Sequence, residues 1–212
     1  MNAAQNETAA SWLTLPNLLT AFRLVLVPFF LHQIINGHRI EALLIFLLAG
    51  LTDLLDGFVA RTWNVRTALG KILDPAADKL LLVTAFVVTS IPQLSQPYHM
   101  PVWLVATVIS RDSLIAFGAL VLFLWKGVKT FTPSLWGKIC TFLQVLTVLL
   151  VLAGNAIIQA GPNSLSSFQW LASSTLQALF FAATFLATVL SGVQYTAFGL
   201  KKAFFSATEE KG

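Results

Sequence analysis

Residues 53–78 read D-L-L-D-G-F-V-A-R-T-W-N-V-R-T-A-L-G-K-I-L-D-P-A-A-D. Four aspartates, Asp53, Asp56, Asp74 and Asp78, stand here in apolar surroundings, with Gly57, Ala60, Arg61 and Gly70 between them. An ionised carboxylate within a bilayer costs several kcal/mol, so intramembrane acids are rare and mark function. Four at close quarters repel one another unless cations neutralise them. A pair of bound divalent metals is the simplest remedy, and the stretch therefore points to metal-dependent chemistry at a membrane.

The remainder of the chain supplies that membrane setting. Of its 212 residues 57% are hydrophobic and only 10% charged, with a mean hydropathy of +0.79; soluble domains carry about 25% charged residues. The length predicts a single domain, residues 1–212. The net charge of +4 comes from basic residues that form no continuous patch, which excludes nucleic acid from the expected partners. The lone Cys140 has no intrachain thiol to pair with and reads as packing. The first dozen residues carry no Lys or Arg, which fits neither a secretory signal nor an Arg-rich transit peptide, so the apolar segments are expected to remain in the mature protein.

Six apolar stretches are long enough to cross a hydrocarbon core, which takes about 20 helical residues: Asn17–Asn36, Ile40–Thr62, Lys71–Ile91, Val102–Trp125, Ser134–Ile158 and Leu171–Leu200. Turn chemistry separates them at Asn36-Gly37, at Ile91-Pro92 with Pro97, at Lys126-Gly127 and at Gly161-Pro162-Asn163. The predicted fold is all-α, a membrane bundle of six transmembrane helices. Its last segment is long enough to leave the membrane or lie along its surface. Arg61, Arg66 and Lys71 fall between the second and third stretches, Lys126 and Lys129 between the fourth and fifth, and Lys201, Lys202 and Lys211 after the sixth, against Arg39 alone on the other side. The positive-inside rule then places both termini and the aspartate-bearing turn in the cytoplasm.

Helical spacing arranges the acids. Asp53 and Asp56 are three residues apart and share one face of the second span; Asp74 and Asp78 are four apart and share one face of the third. A short connection makes the two spans antiparallel neighbours, so the acidic faces are expected to meet. Asp53 would lie roughly 13 Å in from the end of its helix, inside the membrane near the cytoplasmic surface. Oxygen-only donors suit Mg²⁺ or Mn²⁺, whereas zinc favours His and Cys. Two such ions can clamp a diphosphate and orient an in-line attack. Gly57 and Ala60 leave room for a phosphate or nucleotide beside the acidic face, Arg61 offers a forked donor for phosphate oxygens, and Gly70 opens the third span at the same mouth.

The stretch resembles in full the signature of the CDP-alcohol phosphatidyltransferase family, D-x2-D-G-x2-A-R-x8-G-x3-D-x3-D, and the six apolar stretches extend the likeness over nearly the whole chain. The resemblance implies an integral membrane enzyme that joins an alcohol to a phosphatidyl group from a CDP-linked donor and releases CMP. It implies that Asp53, Asp56, Asp74 and Asp78 hold two divalent ions. Asp78 would also act as general base on the acceptor hydroxyl, and Gly57, Ala60, Arg61 and Gly70 would line the CDP site. It also implies a homodimer as a common family assembly, and a prokaryotic inner membrane with the site on its cytoplasmic side.

Arg23, Arg111 and Lys138 sit within apolar stretches. Cations so placed are expected to meet the phosphate of an acceptor; pairing with Asp112 or snorkelling to the surface is the structural alternative. Pro16-Asn17-Leu18-Leu19-Thr20 with Arg23 and Pro28, and the Leu73-Asp74-Pro75 and Asp78-Lys79 context, resemble bacterial phosphatidylglycerophosphate synthases. Ser110-Arg111-Asp112 and Gly137-Lys138 resemble the cardiolipin synthases of the same family. Glycerol 3-phosphate is the expected acceptor, with phosphatidylglycerol as the alternative, and the donor is CDP-diacylglycerol. A cation transporter is the rival from a different class. Against it, the acids lie in one hairpin near one surface and no inverted repeat is visible. Trp12, Trp63, Trp103 and Trp170 near predicted borders read as an aromatic belt, and His32, His38 and His99 as interfacial or solvated.

Overall fold

The computed structural model describes residues 15–62, 70–126, 135–161 and 166–209, and side-chain surroundings for 18–55, 76–118, 121, 124, 135–161 and 168–197. Among the described residues the chain is all-helical. The helices are α1 (Leu15–Ile35), α2 (Arg39–Thr62), α3 (Gly70–Ser90), α4 (Val102–Lys126), α5 (Leu135–Ala160) and α6 (Ser174–Glu209), with a 3-10 helix at Ser166–Ala172. Each α-helix falls on one of the six apolar stretches. Among the described residues, three helices are long and apolar enough to cross a membrane, over Leu18–Ile35, Leu135–Ala160 and Ser174–Ala197. Large apolar side chains stand exposed on all six, among them Leu18, Leu54, Leu80, Phe117, Phe142 and Leu179. That pattern suits a surface bathed in lipid rather than water. The basic residues on which the orientation rests (Arg61, Arg66, Lys71, Lys126, Lys129, Lys201, Lys202 and Lys211) lie outside the described side chains.

The chain forms two compact units, Met1–His99 with Leu149–Ala172, and Met100–Val148 with Ser173–Gly212, so that the sequence of α5 is shared between them. In the first unit α1 packs against both α2 and α3. The α1–α2 turn is tight because Gly37 takes a φ of 76°, which a side chain would resist. The turn is then fixed from α5. Gln159 Oε1 accepts the backbone N–H groups of Arg39 at 2.7 Å and Ile40 at 3.1 Å, and its Nε2 donates to the Gly37 carbonyl at 3.1 Å. Two of the unpaired amides that open α2 are thereby satisfied. Asn155, one helical turn earlier, does the same for the 91–100 connection. Its Oδ1 accepts the Tyr98 N–H at 2.9 Å, and its Nδ2 donates to Ser95 Oγ at 2.9 Å and the Tyr98 carbonyl at 2.8 Å.

In the second unit α4 packs against α6, with Trp103 edge-on to Phe185 at 5.3 Å between centroids. The first half of α5 meets α6 through hydroxyls, Thr147 with Thr184 at 2.7 Å and Cys140 with Thr188 at 3.5 Å. Small polar side chains let helices approach closely where burying apolar surface gives little drive. Cys140 is buried and has no disulfide, in keeping with a packing role. The sequence reading begins the last stretch at Leu171, but that residue lies in the 3-10 helix. Helix α6 starts at Ser174 because Ser173 caps it, its carbonyl accepting the Gln177 N–H at 3.1 Å and its hydroxyl facing the Leu176 N–H at 3.5 Å.

Candidate functional site

The aspartate stretch occupies the last turns of α2 and the first turns of α3. Asp56, Gly57, Ala60, Arg61, Gly70 and Asp74 lie on these helical segments, and their side-chain surroundings are outside the described residues. Asp53 and Asp78 are described, and α1 brings them together. Antiparallel α1 and α2 set Phe30 against Phe46, ring centroids 5.9 Å apart. Two helical turns further along each helix, the same register sets Arg23 against Asp53. Arg23 Nη2 lies 3.1 Å from Asp53 Oδ1, and Nη1 donates to Asp78 Oδ1 on α3. One guanidinium thus bridges acids from two different helices.

Burial is unequal across this bridge. The Arg23 side chain is 1% exposed, whereas those of Asp53 and Asp78 are each 44% exposed. The cation is sealed within the helices while both acidic side chains remain partly exposed. A guanidinium fork matches carboxylate oxygens geometrically and is shed to water less readily from a buried position. Both acids offer oxygen donors, the type a hard divalent cation takes, and Arg23 is the cation that pairs with them here. The sequence reading assigns Arg23 to an acceptor phosphate and does not foresee its pairing with the acids. The available signal is electrostatic: an arginine within apolar sequence requires an anion, and residues 53–78 hold four.

The other two cations expected at an acceptor phosphate, Arg111 and Lys138, belong to the second unit. Arg111 on α4 is 10% exposed; its Nη1 donates to Asp112 Oδ1 at 2.8 Å and its Nη2 donates to Ser191 Oγ. Its guanidinium carbon lies 5.6 Å from the centre of the Tyr195 ring, within cation–π range. A Cβ at Gly192 would stand 3.5 Å from Arg111 Cγ, ordinary contact, so the arginine stem lies flat along α6. Lys138, near the start of α5, is exposed. The structure therefore joins Arg111 to Asp112, the structural alternative in the sequence reading, and leaves Lys138 facing outward.

Comparison with known proteins places these features in a family. A protein of Aquifex aeolicus named CDP-diacylglycerol–glycerol-3-phosphate 3-phosphatidyltransferase is 36% identical over 139 residues, 66% of this chain and 75% of its own length. An Escherichia coli protein of the same name is 40% identical over 109 residues, 48% of this chain and 56% of its own. The human cardiolipin synthase (CMP-forming) is 46% identical over 103 residues, 48% of this chain and 33% of its own. Mycobacterial relatives are matched at 36% identity over only 60% of their length, so the chain spans less than two thirds of them. The family model described as CDP-alcohol phosphatidyltransferase matches residues 13–190. That match takes in α1, the whole aspartate stretch and the N-terminal part of α6 as far as residue 190, and the chain belongs to the CDP-alcohol phosphatidyltransferase family.

Proposed function

We propose that this chain is a membrane phosphatidyltransferase that moves the phosphatidyl group of CDP-diacylglycerol to glycerol 3-phosphate and releases CMP. The observation that carries the reading is the complete aspartate signature within a matched family segment, with Asp53 and Asp78 drawn together from two helices. The Aquifex and Escherichia relatives bear the name of that reaction.

In this reading Asp53, Asp56, Asp74 and Asp78 hold two divalent ions, Mg²⁺ or Mn²⁺. Bound there, such ions would neutralise phosphate charge and increase the acidity of a nearby hydroxyl. The protein's own groups do the rest. Asp78 takes the proton of the acceptor hydroxyl as its oxygen bonds to the phosphorus bearing the diacylglycerol, and the bond from that phosphorus to CMP breaks. Gly57, Ala60, Arg61 and Gly70 line the CDP site, and Arg111, Lys138 and Arg23 serve the acceptor phosphate. The same reading has residues 1–212 working as one domain of six spans, both termini in the cytoplasm. It places the site at the cytoplasmic face of a prokaryotic inner membrane, in a homodimer.

Phosphatidylglycerol as acceptor is the second reading. It is favoured by the Ser110-Arg111-Asp112 and Gly137-Lys138 contexts and by the human cardiolipin synthase among the relatives. The deciding experiment incubates purified protein in detergent with labelled CDP-diacylglycerol, adding in turn glycerol 3-phosphate, phosphatidylglycerol, serine and inositol phosphate. CMP release with glycerol 3-phosphate alone upholds the proposal. Release with phosphatidylglycerol alone replaces it by the second reading. Cation flux in liposomes, with no CMP released from any mixture, would make the chain a transporter.

A further inference from the structure

We propose that Arg23 is a resident counter-cation, a positioning residue that holds Asp53 and Asp78 in the metal-free protein and competes with divalent metal for them. The inference rests on the reading of these acids as metal ligands.

Its basis is the geometry of the bridge. Arg23 belongs to α1, outside the 53–78 stretch, yet its two terminal nitrogens reach carboxylates on α2 and α3. Acids from two different helices repel one another, and a shared cation offsets that repulsion. With it, α1, α2 and α3 share one electrostatic tie, and α1 is the helix that packs against both others. The tie is also directional. Arg23 approaches from the buried side at 1% exposure, while both acids remain 44% exposed. An ion arriving from outside finds carboxylate oxygens already partly neutralised from within.

Two effects then oppose metal binding. The bridging oxygens are engaged, and a fixed positive charge stands beside the place a cation must occupy. Metal binding draws these two carboxylates away from the guanidinium, and a buried guanidinium then favours a further anion beside it. The phosphate of an acceptor or donor is the anion the proposed reaction brings. The geometry accordingly makes metal and Arg23 antagonists for the acids, and metal and phosphate partners through Arg23. Coupling of this kind is reciprocal.

The test measures Mn²⁺ binding, by titration calorimetry and by electron paramagnetic resonance, to full-length protein in detergent. Wild type is compared with Arg23→Gln, Arg23→Lys and Asp53→Asn. Arg23→Gln is expected to tighten Mn²⁺ binding by about five- to a hundredfold, the usual span of a site-to-site coupling. Arg23→Lys should tighten it less, since a single ammonium keeps the charge but cannot fork across two carboxylates. Thermal unfolding without metal should show Arg23→Gln below wild type, with Mn²⁺ raising the midpoint further in the variant than in wild type. Unchanged or weaker Mn²⁺ binding in both arginine variants overturns the proposal. Should Arg23→Gln fail to elute as a monodisperse protein, the lysine variant alone decides by the same criterion. Absence of Mn²⁺ binding to wild type, or wild-type binding by Asp53→Asn, instead overturns the metal reading on which the proposal stands.

Discussion

Two buried arginines, one in each unit, are neutralised in opposite ways. Arg111 is held by Asp112, its neighbour in sequence, and by Ser191 on α6. The two members are adjacent in sequence and nearly buried, at 10% and 14% exposure. Arg23 has no acid on its own helix and pairs with Asp53 on α2 and Asp78 on α3, both half-exposed. A local, enclosed pair is harder for an outside ion to enter. A pair shared among three helices and open on its acidic side can be exchanged for another cation. The difference teaches that the burial of the acid, more than that of the arginine, separates a fixed ion pair from a replaceable one.

The largest expected effect lies on the exchangeable side. Asp78→Asn should lower CMP release by at least about a hundredfold, the usual worth of a positioned base, while CDP-diacylglycerol binding in a filter assay stays near wild type. Turnover like that of wild type would remove Asp78 from the base role. Excess EDTA should likewise stop CMP release, with Mg²⁺ or Mn²⁺ restoring it; undiminished release under chelation would return all four acids to a structural role.

The contrast between the arginines is sharpened by removing one acid from each. Asp112→Asn deprives a nearly buried cation of the carboxylate it pairs with and should cost about 2–3 kcal/mol in thermal or denaturant unfolding. Asp53→Asn leaves Arg23 with Asp78, and its half-exposed carboxylate is screened, so about 1 kcal/mol is expected. Equal losses would break the comparison. Lys138→Ala, at an exposed lysine, should raise the acceptor KM by roughly tenfold, corresponding to one charge-assisted hydrogen bond; an unchanged KM would make Lys138 structural. Thr147→Val, which breaks the Thr147–Thr184 contact in the second unit, is the smallest change, at about 0.6 kcal/mol. A loss of several kcal/mol there would mean that the α5–α6 seam depends on this one hydroxyl pair.

Much of the fold was legible from local pattern. The six apolar stretches coincide with α1 to α6, and Asn36-Gly37 and Gly161 mark turns, both glycines at positive φ. These features depend on residues close in sequence, where turn chemistry and hydropathy speak directly. The 3-10 helix ahead of α6 was not legible, because Leu171 continues an apolar run and the stop is imposed by the Ser173 cap. Gln159 and Asn155 passed unnoticed for a related reason. A single amide in an apolar helix gives no hint that its partners lie at Gly37 and Tyr98.

What the sequence by itself determined is the chemistry on offer: an oxygen-only acid quartet at helical spacing, in a chain too apolar for water, with the signature of one family. Spacing along a helix decides which side chains share a face, and composition decides which solvent they tolerate. Only the tertiary structure decided that α1 lies against both acidic helices and that Arg23 stands between Asp53 and Asp78. Helical periodicity carries no information about which neighbour a face will meet, and an arginine paired with acids far along the chain reads in sequence like one awaiting a phosphate.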